Sequence, residues 1–233
     1  MTNPGKPYRF VPKAVVFDMG GVLIDLHSED AGRELTEKYG LLSPTIARLT
    51  RSCFDSDPRS ITELAMTGQV GTTEYLEAFL RECSIKDLDG LRLNRLSVIG
   101  RERRSVFAVV QELKRAGFIC CVLSNTIALH WEKLTANEYP SLGLFDHVFA
   151  SHLIKCAKPE RASFLFVADR LNIPMAECLL VDDTPLNVDC AAAAGWQALL
   201  FSDAAQLRLE LGHLLHTETS NHAMQRTVPR SDA

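Results

Sequence analysis

Five short apolar runs, at residues 14–17, 118–123, 147–150, 178–181 and 197–201, carry little polar alternation. A strand with one wet face alternates in polarity. A strand of a parallel sheet is covered on both faces and loses that alternation. The runs therefore predict buried parallel strands. Between them the period changes to that of a helix. Val106, Val109, Val110 and Leu113 recur at helical spacing, and Gly117 stands where a C-terminal cap belongs. Two more helices are predicted over about 158–171 and 185–194. Strands alternating with helices imply a doubly wound α/β domain with a parallel, Rossmann-like sheet.

The stretch 27–100 breaks this rhythm: it shows several helical patterns and no strand. Ser43 followed by Pro44 predicts a helix start, with Ile46, Leu49 and Cys53 on one face. Thr72 is expected to cap a helix whose buried face is Tyr75, Leu76, Phe79 and Leu80. The organisation expected is an α/β core over 12–26 and 101–210, interrupted by a helical module over 27–100. The polar stretch 216–233 lacks periodicity and is expected to be a loose tail.

With 233 residues and 46% hydrophobic content, the chain can bury one good core or a core plus a dependent module. A net charge of -4 gives no reason to expect nucleic acid or an anionic membrane surface as a partner. The basic residues Arg101, Arg103 and Arg104 are interrupted by Glu102 and read as the solvated start of a helix. No apolar run approaches the ~20 residues that a membrane helix needs, and residues 1–10 lack the apolar core of a secretory signal. Seven cysteines, an odd number without C-x-x-C spacing, suit a reducing compartment, and a cytoplasmic location is expected. Oligomeric state leaves no trace in this pattern.

In open α/β sheets ligands bind beyond the carboxyl ends of the strands. The first strand is followed by Asp18 and Gly20, the second by Ser124, Asn125 and Thr126. Lys158 lies beyond the third, and the fourth is followed by Asp182 and Asp183, with Asn187 a helical turn on. Each item alone is ordinary turn or cap chemistry. Together they predict three carboxylates, a hydroxyl, an amide and an ammonium on one rim. Clustered carboxylates repel unless a cation sits between them, and Mg²⁺ takes such oxygen ligands alongside phosphate oxygens. A carboxylate can attack phosphorus, while a hydroxyl and an ammonium hold the phosphoryl oxygens.

The runs VVFDMGGVL (15–23), LSNT (123–126), CAKPE (156–160) and LLVDDTPLNV (179–188) resemble, in order, the four motifs of the haloacid-dehalogenase-like hydrolases. The resemblance spans about 12–202. It implies that Asp18 is the nucleophile and a metal ligand, with the Gly20 carbonyl and Asp183 as further Mg²⁺ ligands. Asp182 and Asn187 would support the metal. Ser124 and Lys158 would hold the transferring phosphoryl group, with Asn125 beside it. The helical module would be a mobile cap that selects the leaving group. SNT-x-x-LH (124–130), EYP (138–140) and TGQVGTTEYLEAF (67–79) look more narrowly like bacterial α-D-glucose-1-phosphate phosphatases, which implies a small phosphorylated metabolite such as a sugar phosphate as substrate.

One departure matters. Most phosphatases of this superfamily carry a second Asp two positions after the nucleophile, as proton donor to the leaving oxygen. Here that position is Gly20. Proton transfer contributes ~10²–10⁴ in rate, so a slower enzyme or one for better leaving groups is expected. Two other readings stand beside phosphomonoester hydrolysis. A 2-haloacid dehalogenase would use the same Asp without a metal, which the Asp182–Asp183 pair disfavours. A catalytically degenerate protein that binds a phosphate ligand or a partner has only Gly20 in its favour. Among other candidates, His130 reads as a packing residue, and Asp25 as a surface residue near the hinge of the cap. Trp131 could reach the substrate mouth. Tyr75 and Phe79 read as core of the helical module, and His147 and His152 lack partners at zinc-site spacing.

Overall fold

In a computed structural model of the protein, residues 11–55, 57–136 and 138–212 are described; the tail expected over 216–233 lies outside them. The chain begins with β1 (Ala14–Phe17) and, after a turn, β2 (Ile24–Leu26). Five helices follow: α1 (Ser28–Glu37), α2 (Ser43–Thr50), α3 (Ile61–Met66), α4 (Thr72–Glu82) and α5 (Leu88–Ser97). The chain returns through β3 (Ile99–Glu102) and α6 (Arg104–Arg115) to β4 (Ile119–Ser124), α7 (Ala128–Thr135) and β5 (His147–Ala150). It ends with α8 (Ser151–Ile154), α9 (Arg161–Leu171), β6 (Cys178–Asp182), α10 (Pro185–Ala194), β7 (Gln197–Leu200) and a helix over 204–212.

Five strands form a parallel sheet in the order β5-β4-β1-β6-β7. This is the α/β, Rossmann-like architecture expected from the unbroken apolar runs. Successive side chains of a strand point to opposite faces. On one face Val15, Phe17, Val122 and Val181 pack against Val106, Val109, Val110 and Leu113 of α6. On the other, Val16, Leu123 and Leu180 meet Phe164 and Val167 of α9 and Ala191 of α10. All four residues of β1 are fully buried, which is why the central strand shows no polar position. Full burial of a valine or phenylalanine side chain, as at Val15, Val16 and Phe17, stabilises the fold by about 1.5–3 kcal/mol.

Asp18 follows β1, the strand at which the chain order reverses: β4 and β5 lie to one side, β6 and β7 to the other. That reversal opens a crevice at the carboxyl ends of the strands. The backbone N–H of Asp18 donates to Val181 O at 2.8 Å and so continues the β1–β6 ladder by one step.

Helices α1 to α5 lie between β2 and β3 and have their own apolar cluster, centred on Leu35, Tyr39, Tyr75, Phe79 and Leu91. Four details differ from the sequence reading. β2 and β3 pair antiparallel as a two-stranded ribbon at the base of the insert, and β3 begins at Ile99, inside the stretch expected to lack strands. The ribbon is too short and too exposed to carry a periodic signal. α2 ends at Thr50, so Cys53 lies beyond it and is exposed. Gly71, not Thr72, is the N-cap of α4, and its N–H is satisfied by the Glu74 carboxylate at 2.7 Å. α9 starts at Arg161 because 157–160 form a turn closed by Glu160 N–H to Ala157 O, and Pro159 has no N–H for a helix.

Candidate active site

The strand-end residues converge. Lys158 is almost fully buried, and its Nζ lies 2.8 Å from Asp18 Oδ1 and 2.6 Å from Asp182 Oδ2. Asp182 is fully buried yet fully occupied. Besides Lys158 it accepts the Thr184 N–H at 2.9 Å and the Asn187 amide at 3.0 and 3.2 Å. A buried carboxylate is tolerated when its lone pairs are met in this way. Asp183, by contrast, is exposed next to the crevice.

Carboxylate oxygens of Asp18, Asp182 and Asp183 come within 4.8 Å of one another. Three carboxylates face one ammonium, which leaves surplus negative charge when all are ionised. The imbalance registers in the acid strengths. Burial, with repulsion from Asp182 and Asp183, pushes the Asp18 carboxyl up to about 7 against the pull of Lys158. Burial and then Asp182 raise Asp183. Burial alone would lower Lys158, but the Asp18 and Asp182 charges overcome it and hold the ammonium protonated. An oxygen-ligated divalent cation would relieve this surplus. Asp182 is committed to protein donors, so Asp18 and Asp183 are the carboxylates free to hold one. The donor set fits Mg²⁺.

Gly20 lies on the turn after Asp18. A Cβ there would have the Leu26 side chain as its nearest neighbour, at 2.9 Å. Gly21 is different: its φ is +79°, and a Cβ would fall 1.9 Å from Asp183 Oδ2. Only glycine lets this turn pass so close to the acidic loop. Ser124, at the end of β4, is buried, and among the described residues its hydroxyl has no hydrogen-bond partner. Asn125 does not stand free beside it. Its amide N–H donates to Lys158 O at 2.6 Å, and its Oδ1 accepts the Lys158 N–H at 2.9 Å. Both ends of the amide thus clip the Lys158 backbone in place.

A cavity of about 270 Å³ lies between the rim and the helical insert. Its floor includes Gly20, Ser124 and Asn125, and its walls include Ile46, Met66, Val98, Ile127, Tyr75 and Arg95. His130 also lines it, and the His130 Nε2–H donates to Arg95 O at 2.9 Å, tying α7 to α5. Burial and the nearby Arg95 charge lower the imidazole to about 4, so it is neutral. Trp131 is not among the cavity-lining residues; it packs against the core and makes an edge contact with His152 at 6.0 Å.

Two arginines escaped the sequence reading. Arg103 stands at the N-cap position of α6 without a side-chain capping bond, and it is half-buried. It pairs with Asp25 at 2.6 Å and donates to Gly21 O, joining the return of the insert to the turn after the nucleophile candidate. The basic run around it hid this role. Arg95 sits in an amphipathic helix and gave no signal. No helix among the described residues is long and apolar enough to cross a membrane.

The model of the haloacid dehalogenase-like hydrolases matches residues 12–195. The sesquiterpene phosphatase astK of Aspergillus oryzae is 31% identical over 205 residues, covering 87% of this chain and 96% of the relative. Phosphatase MT3486 of Mycobacterium tuberculosis is 26% identical over 197 residues, covering 84% and 89%. Among solved structures, a haloacid-dehalogenase-family enzyme of Bacteroides thetaiotaomicron, crystallised with magnesium and inorganic phosphate, superposes with a TM-score of 0.72 at 20% identity, covering 84% of this chain and 98% of that one. With four motifs in order, a matching sheet and a match over most of its length, this chain belongs to the haloacid dehalogenase-like hydrolase family.

Proposed function

We propose that the protein is a Mg²⁺-dependent phosphatase that hydrolyses a small phosphomonoester through an aspartyl phosphate on Asp18. The observation that carries this reading is the placement of Asp18 at the centre of the rim, 2.8 Å from a buried ammonium and beside a surplus of carboxylate charge. Asp18, the Gly20 carbonyl and Asp183 would hold the Mg²⁺, which when bound lowers the repulsion between the Asp18 carboxylate and a phosphate dianion.

In the first step an Asp18 oxygen forms a bond to phosphorus while the bond to the leaving oxygen breaks. Lys158 and the unpaired Ser124 hydroxyl hold the phosphoryl oxygens as charge shifts across them. Asn125 acts through Lys158 by fixing its backbone, and Asp182 with Asn187 fixes its ammonium. The leaving alkoxide takes its proton from water, because Gly20 has no side chain to supply one. Water then attacks the aspartyl phosphate, releasing inorganic phosphate and restoring the carboxylate. The helical insert acts as the cap over this site. Seven cysteines, none of them in a disulfide, support a cytoplasmic location.

The test is phosphate release from p-nitrophenyl phosphate, glucose 1-phosphate, a prenyl phosphate and other metabolite esters, with Mg²⁺ and with EDTA. Wild type is expected to turn over at least one ester only with Mg²⁺. Asp18→Asn is expected to lower the rate by about 10³-fold or more. A folded wild type inert on every ester would favour a binding protein. Metal-independent halide release from 2-chloropropionate would favour a dehalogenase.

A further inference from the structure

Arg95 is 6% exposed and lines the cavity, yet among the described residues no carboxylate pairs with it. Several other arginines of the insert do pair, among them Arg48 with Glu82, Arg51 with Glu63, Arg59 with Glu160 and Arg92 with Glu132. In those pairs the arginine side chain is 30–59% exposed. Among the described residues that line the cavity, Arg95 is the one charged side chain. It is also held in place. Its Nε–H donates to the Tyr75 hydroxyl at 3.2 Å, and its guanidinium lies 5.1 Å from the centre of the Phe79 ring. These contacts use one of five N–H donors and leave the outer fork without an acceptor. A cation buried without a counterion is costly, and a planar fork matches a carboxylate or phosphate in two-point contact.

We infer that Arg95 selects a substrate whose leaving group carries a second anionic oxygen group, a carboxylate or a further phosphoryl group, at the end away from the bond that breaks. The inference rests on the phosphatase reading, because Gly20, Ser124 and Asn125 of the rim line the same cavity as Arg95. A ligand spanning the cavity would place one anion on the rim and the other on Arg95. The walls between are largely apolar and suit a short carbon body.

The test uses non-hydrolysable probes in the presence of Mg²⁺: ω-phosphonocarboxylates of increasing chain length, and alkylphosphonates ending in an isopropyl group of the same size as the carboxylate. Bisphosphonates of matching length form a third arm and tell the two anions apart. By calorimetry, wild type is expected to bind one anionic member at least about tenfold more tightly than its neutral match. Arg95→Met should bring that ratio close to one. Arg95→Lys should leave an intermediate ratio, since it keeps the charge and loses the fork. Binding stoichiometry counts the folded protein, so a partly unfolded variant changes the stoichiometry and not the ratio. A ratio near one in wild type at every length, a ratio that survives in Arg95→Met, or no binding at all would each overturn the inference. A clear ratio in a protein without phosphatase turnover would instead sink the phosphatase reading and leave Arg95 as an anion site.

Discussion

At the sheet rim Lys158 is 1% exposed and stands between two carboxylates, whereas in the insert Arg95 is 6% exposed and, among the described residues, pairs with no acid. Both residues are more than nine-tenths buried. What differs is who supplies the counter-charge. At the rim the protein supplies it, and with excess: Asp182 and Asn187 hold Lys158 ready before any substrate arrives. Such preorganisation is what a phosphoryl site needs, because its donors must not reorganise as charge moves. In the insert the counter-charge is left to come from outside, as expected of a surface that chooses between leaving groups.

This contrast makes the largest expected effect one of stability. Lys158→Met would strand Asp18 and the fully buried Asp182 without their cation. Breaking a buried pair in this way costs about 3–5 kcal/mol. Arg95→Met removes a charge that nothing compensates, and loses only the Tyr75 hydrogen bond and the Phe79 contact. Its cost is expected to stay under about 1 kcal/mol, and stabilisation is an allowed result. Urea denaturation of both variants checks the comparison. Equal losses would mean that Arg95 has a protein counter-charge after all and that the two regions do not differ.

The second effect is on turnover at the rim and should leave the insert untouched. Gly20 has no positive φ, and the nearest neighbour of a Cβ there would be the side chain of Leu26, which is 45% exposed and able to turn. Gly20→Asp is therefore expected to fold and to place a proton donor near the leaving oxygen. Turnover of esters with poor leaving groups should rise by about tenfold, the lower part of what proton transfer contributes. Turnover of p-nitrophenyl phosphate, whose leaving group needs little protonation, should change less. An equal change on both, or a fall on both in a folded variant, would separate Gly20 from leaving-group protonation.

The rim was legible because each of its residues follows directly on an apolar run. A strand boundary misplaced by one residue, as at 118–123 against Ile119–Ser124, leaves Ser124 and Asn125 at the strand end. The sheet was legible for the same reason: burial on both faces removes polar positions, and that removal is visible in one dimension. The clip between Asn125 and the Lys158 backbone was not, because it joins residues far apart in sequence through a turn that only the assembled sheet creates. The β2–β3 ribbon was too short to show a period. Arg95 was the least legible. In Leu91-Arg92-Leu93-Asn94-Arg95 the pattern is that of any amphipathic helix, and nothing local says that Arg92 finds Glu132 at the surface while Arg95 turns inward. Motifs mark the chemistry that the fold brings to fixed strand ends; they are silent on a roof packed from helices.

The smallest effect is a titration that runs in opposite directions in the two regions. At the rim, burial raises the Asp18 carboxyl from 3.8 to about 7. In metal-free protein the folded state therefore holds a proton there that the unfolded state has released, and stability contributed by the neutral group is lost as pH rises between those values. Around the cavity, burial lowers His130 from 6.5 to about 4. There the unfolded state holds the extra proton, so stability is lost as pH falls through that window. Thermal melting in EDTA across this range should show Asp18→Asn gaining on wild type as pH rises. His130→Asn, which keeps a donor for Arg95 O and cannot titrate, should gain on wild type as pH falls. Both shifts should be modest, because Asp18 and His130 each keep some contact with solvent. Saturating Mg²⁺ should remove the Asp18 effect by holding the carboxylate ionised, and leave the His130 effect in place. If Mg²⁺ erased both, the cavity and the rim would be titrating as one unit, and the division of the site into a charged floor and a waiting roof would not hold.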